Sequence, residues 1–202
     1  MVQIIHDDNL FEKIKDYDAI LVGANNYCTM RNGFPRKVML HYPYVHEMNM
    51  KTKYGDPEKI GTILECKKEN EPTFILCYIA NGFNFRPDLN KEFVSYDGLE
   101  KCLKLVNVLY KGSNIACTLL GNSRFDGNGD KGKIIDIFEK SCTDINVTVY
   151  DYFQKSLAEE KKETRQKELL VKERDRAEYY KMVAERKKRE KMIRELNGHA
   201  GA

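Results

Sequence analysis

Six short apolar runs alternate with amphipathic stretches through residues 1–152, and this alternation restricts the chain to few fold classes. Apolar runs of roughly four to eight residues bounded by turn-forming residues are typical of buried strands. Strands that alternate with helices form a mostly parallel sheet covered by helices. The sequence therefore predicts an α/β domain with six strands, at 2–5, 19–24, 61–66, 73–80, 115–120 and 145–150.

Helical periodicity fills the segments between the runs. Apolar residues recur at three- and four-residue spacing between 99 and 110 and again between 134 and 138, after the glycine-rich stretch 126–132. Two further helices are predicted over 9–16 and 34–48, the second interrupted at Pro43. A domain of about 150 residues buries roughly 68–70% of the surface of its unfolded chain, so we expect it to fold without the remaining residues.

The C-terminal residues differ in composition from this domain. Residues 153–197 contain no glycine or proline, and local propensity predicts one long helix of roughly 65 Å. The stretch 153–196 has 15 basic and 10 acidic residues, so the formal charge of +3 on the whole chain is concentrated there. A solvated helix, a helix that docks on a protein partner or in an oligomeric assembly, and a non-specific contact with nucleic acid remain alternatives.

Cysteine usage points to a reducing compartment. The six cysteines, at 28, 66, 77, 102, 117 and 142, form no C-x-x-C pair and lie mostly in apolar runs, so we expect buried free thiols. Disulfides are rare inside cells, and an intracellular, cytoplasmic protein is predicted. The chain shows no signal peptide and no apolar stretch of about 18 residues, so we expect neither secretion nor a membrane partner. No metal or cofactor is expected.

Two polar turns that contain glycine follow apolar runs, at 23–34 and 121–132. In open α/β sheets, ligands bind at the carboxyl ends of the strands, so both turns are expected to line one crevice. A helix that begins near Gly132 would direct backbone N–H groups towards an anion, which favours a ligand with phosphate groups. Neither turn matches the P-loop or the dinucleotide-binding fingerprint, and the alternative is that these glycines only turn the chain.

The residues D-A-I-L-V-G-A-N-N at 18–26 resemble the "DAIVNAANN" strand and loop of macro domains, three-layer α/β/α modules that bind ADP-ribose and its derivatives. Residues 120–130, the helix after them and the run 147–150 are similar to the second phosphate loop, last helix and last strand of that family. The closest likeness within the family is to the compact phage and microbial type related to ADP-ribose-1″-phosphate phosphatases. The resemblance covers roughly residues 1–152 and implies a macro-like fold with a mostly parallel mixed sheet. It says nothing about the C-terminal residues, where the long charged helix is predicted from propensity alone.

The resemblance also implies a set of binding residues. Asn25 matches the asparagine that contacts the distal ribose, and Asp8, or its neighbour Asp7, matches the aspartate that contacts the adenine amino group. The first phosphate loop corresponds to Gly33 and Phe34, and the second carries an aromatic residue, Phe125, for which a core role is an alternative. The implied ligand-binding residues are Asp8, Asn25, Asn26, Gly33, Phe34, Gly121, Asn122, Ser123, Phe125 and Gly127.

The sequence departs from the family pattern where hydrolysis would take place. Val22 replaces the first asparagine, the four-glycine loop is reduced to residues 30–33, and Pro35 stands where hydrolase-type members have an aspartate. The remaining candidates for a general base are two carboxylates and two imidazoles, each with a structural alternative as a turn acid, helix cap or core residue. These candidates are Asp126, Asp130, His41 and His46.

Two functions from different classes follow from these patterns. The first is binding of ADP-ribose or a phosphorylated relative, with dephosphorylation or hydrolysis as a further activity. The second is a non-catalytic component of a larger assembly, for example a phage particle, in which 153–196 contacts other proteins and the location is the virion. Nucleic-acid binding ranks third and is expected to be non-specific and sensitive to salt.

Overall fold

A computed structural model of the 202-residue chain describes residues 1–7, 9–81, 92–123 and 127–151. These residues contain one six-stranded sheet with the strand order β1-β6-β5-β2-β4-β3. Every neighbouring pair is parallel except β3 and β4, which are antiparallel. The predicted mostly parallel mixed sheet is confirmed. Its strands are β1 (Val2–Ile5), β2 (Ala19–Asn25), β3 (Ile63–Cys66), β4 (Phe74–Ala80), β5 (Asn114–Thr118) and β6 (Asn146–Tyr150).

The helices between the strands agree with the periodicity, with one difference in type. The segment Asn9–Asp16 is a 3₁₀-helix rather than an α-helix, and a second short 3₁₀-helix spans Pro57–Lys59. The predicted interruption at Pro43 is present, because one helix ends at His41 and the next begins at this proline. The α-helices are α1 (Gly33–His41), α2 (Pro43–Met50), α3 (Tyr96–Leu109) and α4 (Lys131–Ser141).

Two apolar cores lie on the two faces of the sheet. Every residue of β4 is buried, and its side chains alternate between the cores, so Ile75 and Cys77 belong to one and Phe74 and Leu76 to the other. One core includes apolar residues of α3 and α4, and the other includes those of α1, α2 and the 3₁₀-helix Asn9–Asp16. The arrangement is therefore three layers, α/β/α, as expected.

Some strand boundaries differ from the apolar runs. The run 61–66 forms a strand only from Ile63, because Gly61 has a φ of +88° and Thr62 Oγ1 donates a hydrogen bond to the backbone of Lys59. The run 115–120 leaves the sheet after Thr118, although the two leucines that follow are buried. Burial of apolar residues therefore continues into the turn that follows β5.

All six cysteines are buried free thiols, which confirms that prediction. Burial raises the pKa of Cys66 to about 11 and that of Cys142 to about 12. None of the helices in the described ranges is long and apolar enough to cross a membrane. Residues 152–202 lie outside the described residues, so the long helix, its protein contacts and the domain boundary at 152/153 stay predictions.

Candidate ligand-binding site

Asn25, at the end of β2, closes the first turn on itself. Its Oδ1 accepts hydrogen bonds from the backbone N–H groups of Tyr27 (3.1 Å) and Thr29 (3.2 Å). Its Nδ2 donates to Thr29 Oγ1 (2.7 Å) and to Thr29 O (3.3 Å). The amide therefore already uses its donors and acceptors within the turn. A ribose hydroxyl that binds Asn25 has to take the place of the Thr29 side chain.

Asn26 joins the first turn to the end of β4. Its side chain is buried, and Nδ2 donates to Asn81 Oδ1 (2.9 Å) and Gly55 O (3.4 Å). Its backbone N–H donates to Ala80 O (3.3 Å). These bonds hold the turn against two other segments, and this structural role accounts for the residue type.

Gly33 and Phe34 begin α1, and they contribute different properties to the turn. Gly33 has a φ of +56°, a conformation that favours glycine, while the ring of Phe34 is buried in the core with Met30 and Val38. Asn32 occupies the N-cap position without a side-chain hydrogen bond to the helix, and the first turn of α1 has no acidic residue. The N-terminus of α1 therefore presents backbone N–H groups and the positive end of the helix dipole to an anion.

The glycines of the second turn are required by close packing. A Cβ on Gly127 would lie 2.5 Å from Gly121 O, and one on Gly129 would lie 2.6 Å from Val94 Cγ1. The backbone N–H of Gly129 donates to Gly121 O (2.8 Å), so the turn folds back on itself. Gly121 has a φ of +79°. These contacts support the alternative interpretation, in which the glycines allow the chain to turn and pack closely.

The polar residues of the second turn also bond within it. Asn122 Nδ2 donates to Gly129 O (3.1 Å). The carbonyl oxygen of Ser123 accepts from the backbone N–H groups of Gly127 (3.0 Å) and Asn128 (2.9 Å). Three of the residues predicted for the site, Asp8, Phe125 and Asp126, lie outside the described residues, and their roles stay predictions.

Asp130 is the N-cap of α4. Its carboxylate accepts a hydrogen bond from the backbone N–H of Lys133 (2.9 Å), and its own N–H donates to the Tyr96 hydroxyl (2.8 Å). A negative side chain stabilises this end of the helix but opposes a second anion there. Of the two helices that follow the turns, α1 is therefore the better anion site.

The two histidines considered as bases lie on different helices. His41 packs its ring against Phe11, with centroids 4.7 Å apart. His46, on α2, has a buried Nδ1 that finds no hydrogen-bond partner among the described residues. His46 lines a cavity of about 590 Å³ next to the first turn, and no described residue of the second turn lines it. The lining residues are Tyr27, Cys28, Thr29, Met30, Arg31, Met39, His46, Met50 and Tyr54.

A charged cluster at the carboxyl edge of the sheet was not predicted. Asp151 follows β6 and is buried, and its Oδ2 contacts both Lys131 Nζ and His6 Nδ1, the latter at 3.2 Å. His6 follows β1, and Lys131 begins α4 directly after the second turn. In the sequence, Asp151 is recognisable as a carboxylate directly after a predicted strand. Its partners Lys131 and His6 are distant along the chain, so the sequence does not indicate that the three residues meet. No group of three potential metal ligands occurs among the residues that the structure describes.

The two turns share one edge of the sheet. The strands before them, β2 and β5, are parallel neighbours that pair over Ala19–Leu21 and Ile115–Cys117. Both strands therefore end at the same edge, as the crevice hypothesis requires.

Comparison with known proteins identifies the fold. No family model and no curated protein matches this chain. Solved structures do match, among them the macrodomain of Thermus aquaticus DarG, with a TM-score of 0.55, 15% identity and coverage of 74% of this chain and 97% of that one. A macrodomain protein from Streptomyces coelicolor matches with a TM-score of 0.54 and 16% identity over 76% of this chain and all of that one. This chain has the macrodomain fold.

A third structure of this fold holds a ligand. Thermosipho africanus DarTG, in complex with ADP-ribose, matches with a TM-score of 0.60 and 16% identity, over 77% of this chain and 43% of that one. The expected macro-like fold is therefore confirmed for the described residues of this chain. The narrower resemblance to phage and phosphatase-type domains stays a prediction.

Proposed function

We propose that this macrodomain binds ADP-ribose or a phosphorylated derivative of it between its two turns. The observation that carries the proposal is the N-terminus of α1, which ends the first turn without a side-chain cap or an acidic residue. Backbone N–H groups at such a helix end bind phosphate groups. Thermosipho africanus DarTG, which this chain matches over 43% of its length, is in complex with ADP-ribose, and this supports the class of ligand.

The proposed ligand runs along the carboxyl edge of the sheet. Its diphosphate lies at Gly33 and Phe34, where the backbone rather than the buried Phe34 ring makes the contact. Its distal ribose lies at Asn25 and takes over the hydrogen bond that Thr29 Oγ1 now accepts. Its adenine lies near Asp8, as the family resemblance implies.

Binding is better supported than turnover. Asp130 is occupied as a helix cap, and Pro35 stands where hydrolase-type members carry an acid. Dephosphorylation or hydrolysis would then depend on Asp126, the other carboxylate predicted from the sequence, or on His41 or His46. The function proposed here is therefore recognition of the ligand, with phosphatase activity as a separate question.

Calorimetric titration of the full chain with ADP-ribose tests this function. We expect saturable binding, and we expect Asn25→Ala to weaken it by about 1–3 kcal/mol, because hydrogen bonds to the ribose are lost. ADP serves as the matched control ligand, because it lacks the distal ribose and its affinity is expected to change much less in this variant. Absence of heat with the folded wild-type chain at millimolar ADP-ribose would contradict the proposal.

An assembly role is the second candidate, and one surface favours it. Leu105, Val108 and Leu109 are 42%, 75% and 60% exposed, and their spacing places them on one outer face of α3. Exposed apolar patches commonly mark protein contacts. We propose that this face pairs two copies of the chain.

Light scattering of the full chain measures this association. We expect a dimer for the wild type and a monomer for Val108→Glu, because a buried charge at the contact is costly. Lys140→Gln, an equal change in charge on exposed α4, is expected to leave the dimer intact. A wild-type monomer at high protein concentration would rule out self-association through α3.

A further inference from the structure

Lys59 places a buried amine directly against a thiol. The residue is only 9% exposed, and its Nζ lies 3.0 Å from Cys28 Sγ, 2.7 Å from Thr52 Oγ1 and 3.4 Å from Asn26 O. Nζ also lies 4.3 Å from the centre of the Tyr78 ring. No carboxylate within the described ranges forms an ion pair with Lys59.

This pairing has an electrostatic reason. A buried ammonium without an ion pair is costly, and among the three hydrogen-bond acceptors of Lys59 only the Cys28 sulfur can take a negative charge. The Asp56 carboxylate interacts with Lys59 only over a longer distance. The distance of 3.0 Å between Nζ and Sγ is short enough for a proton to pass between nitrogen and sulfur.

The backbone fixes both members of the pair. Cys28 has a φ of +56°, which is unusual for a residue other than glycine, and its N–H donates to Asn25 O (3.1 Å). Lys59 ends the 3₁₀-helix Pro57–Lys59, whose N-cap Asp56 accepts a hydrogen bond from Glu58 N. Cys28 is 1% exposed, and it is one of the residues that line the cavity of about 590 Å³.

We propose that Cys28 and Lys59 form a modification site at which hydrogen peroxide joins the two side chains through a sulfur–nitrogen bond. In the first step the thiolate sulfur attacks one peroxide oxygen, the O–O bond breaks, and the departing hydroxide takes a proton from the Lys59 ammonium to form water. Sulfur is oxidised by two electrons to a sulfenic acid and peroxide is reduced. The lysine is now a neutral amine next to the sulfenic acid.

In the second step the amine attacks the oxidised sulfur. The lone pair of Nζ forms the S–N bond, the S–O bond breaks, and hydroxide leaves and takes one proton from nitrogen to form a second water. Sulfenic acids condense in this way with backbone nitrogen to give sulfenamides. Overall, one peroxide is consumed, two waters form, and the protein loses two hydrogen atoms. One thiol reverses the link by attacking sulfur and releasing the amine, and a second thiol reduces the resulting mixed disulfide to restore Cys28.

The other cysteines lack this arrangement. Burial raises the pKa of Cys66 and Cys142, and the pKa values of Cys77 and Cys117 are raised well above the ordinary range. The thiolate is the reactive form, so these side chains react slowly. Cys102 Sγ donates to a backbone carbonyl, Thr62 O, at 3.1 Å rather than contacting an amine.

Mass spectrometry of the full folded chain after limited peroxide treatment tests the site. We expect a loss of mass equal to two hydrogen atoms, loss of tryptic cleavage after Lys59, and a cross-linked peptide pair that contains Cys28. Treatment with dithiothreitol is expected to restore both the mass and the cleavage. These readings use the wild-type chain, so they do not depend on whether a variant folds.

Two variants test whether Cys28 and Lys59 are the residues that form the S–N bond. Lys59→Arg keeps a positive charge but removes the nucleophilic amine, and it is expected to stop at a sulfenic acid that dimedone traps at Cys28. Cys66→Ser changes a buried cysteine whose Sγ contacts Val45 O and Leu64 O rather than Lys59, and it is expected to leave the link intact. A wild-type chain that gains one oxygen at Cys28 with Lys59 still cleavable, or that reacts first at another cysteine, would overturn the proposal.

Discussion

Replacing Asn32 with aspartate tests the phosphate site without disturbing the fold. The side chain is exposed at the N-cap of α1 and makes no hydrogen bond to the helix, so the change is nearly isosteric and breaks no contact there. Asparagine and aspartate are about equally good N-caps. A negative charge at this end adds roughly 0.3–1 kcal/mol of helix stability through the dipole. We therefore expect the thermal midpoint to stay constant or to rise.

The same charge opposes a diphosphate bound at Gly33 and Phe34. Two unit charges about 5–6 Å apart near a protein surface repel by roughly 3 kcal/mol at an effective dielectric constant of about 20. Exposure of residue 32 to water and salt reduces this value, so we expect a loss of about 1–2 kcal/mol in binding, or roughly tenfold in Kd. The loss is expected to shrink as salt concentration rises.

Calorimetry with ADP-ribose at low and moderate salt measures both effects. Asn70→Asp is the matched control, because it is exposed and precedes β4 at the opposite edge of the sheet from the turns. It makes the same change in charge and is expected to leave Kd unchanged. Equal affinity for wild type and Asn32→Asp, or an equal loss in both variants, would refute the placement of the diphosphate at α1.

Two further predictions concern the two turns. Thr29→Val removes the hydroxyl that Asn25 Nδ2 now contacts at 2.7 Å, and it is expected to tighten ADP-ribose binding by about 0.5–1.5 kcal/mol in the same titration, because the freed donor then pairs with ribose. Unchanged or weaker binding would argue against this exchange. Gly127→Ala places a Cβ 2.5 Å from a backbone oxygen and is expected to lower the free energy of unfolding by about 1–3 kcal/mol. Gly132→Ala lies in α4 and meets nothing closer than an Asp130 carboxylate oxygen at 3.3 Å, so denaturant unfolding is expected to show a smaller loss, and equal losses would contradict the packing argument.

The sequence predicted the elements of the fold better than their arrangement. The runs at 19–24 and 73–80 are apolar throughout because β2 and β4 are buried on both faces, and such runs are visible without a structure. The antiparallel direction of β3 is set by pairing with β4, which no local pattern encodes. The 3₁₀ form of Asn9–Asp16 also escaped prediction, because Leu10 and Ile14 have a spacing that suits an α-helix.

A candidate site could be proposed from the sequence only where one short segment supplies its residues. The first turn contains Asn25 and Gly33 within one stretch, so its resemblance to a ligand-binding loop can be recognised in the sequence. Cys28 and Lys59 are 31 residues apart, and they meet because the turn and the segment before β3 pack together. Sequence spacing could therefore indicate a candidate ligand loop, but it could not indicate that the Lys59 amine contacts that loop.

The two proposals about the first turn depend on different atoms and can fail separately. Ligand binding requires Asn25 to exchange Thr29 for a ribose and requires free N–H groups at the start of α1. The S–N link requires that Cys28 Sγ and Lys59 Nζ stay 3.0 Å apart in a folded chain and that peroxide reaches the sulfur. A chain that forms the link but ignores ADP-ribose would keep the redox site and lose the binding function. A chain that binds ADP-ribose and resists peroxide would show that the Lys59 amine serves only to hold the turn.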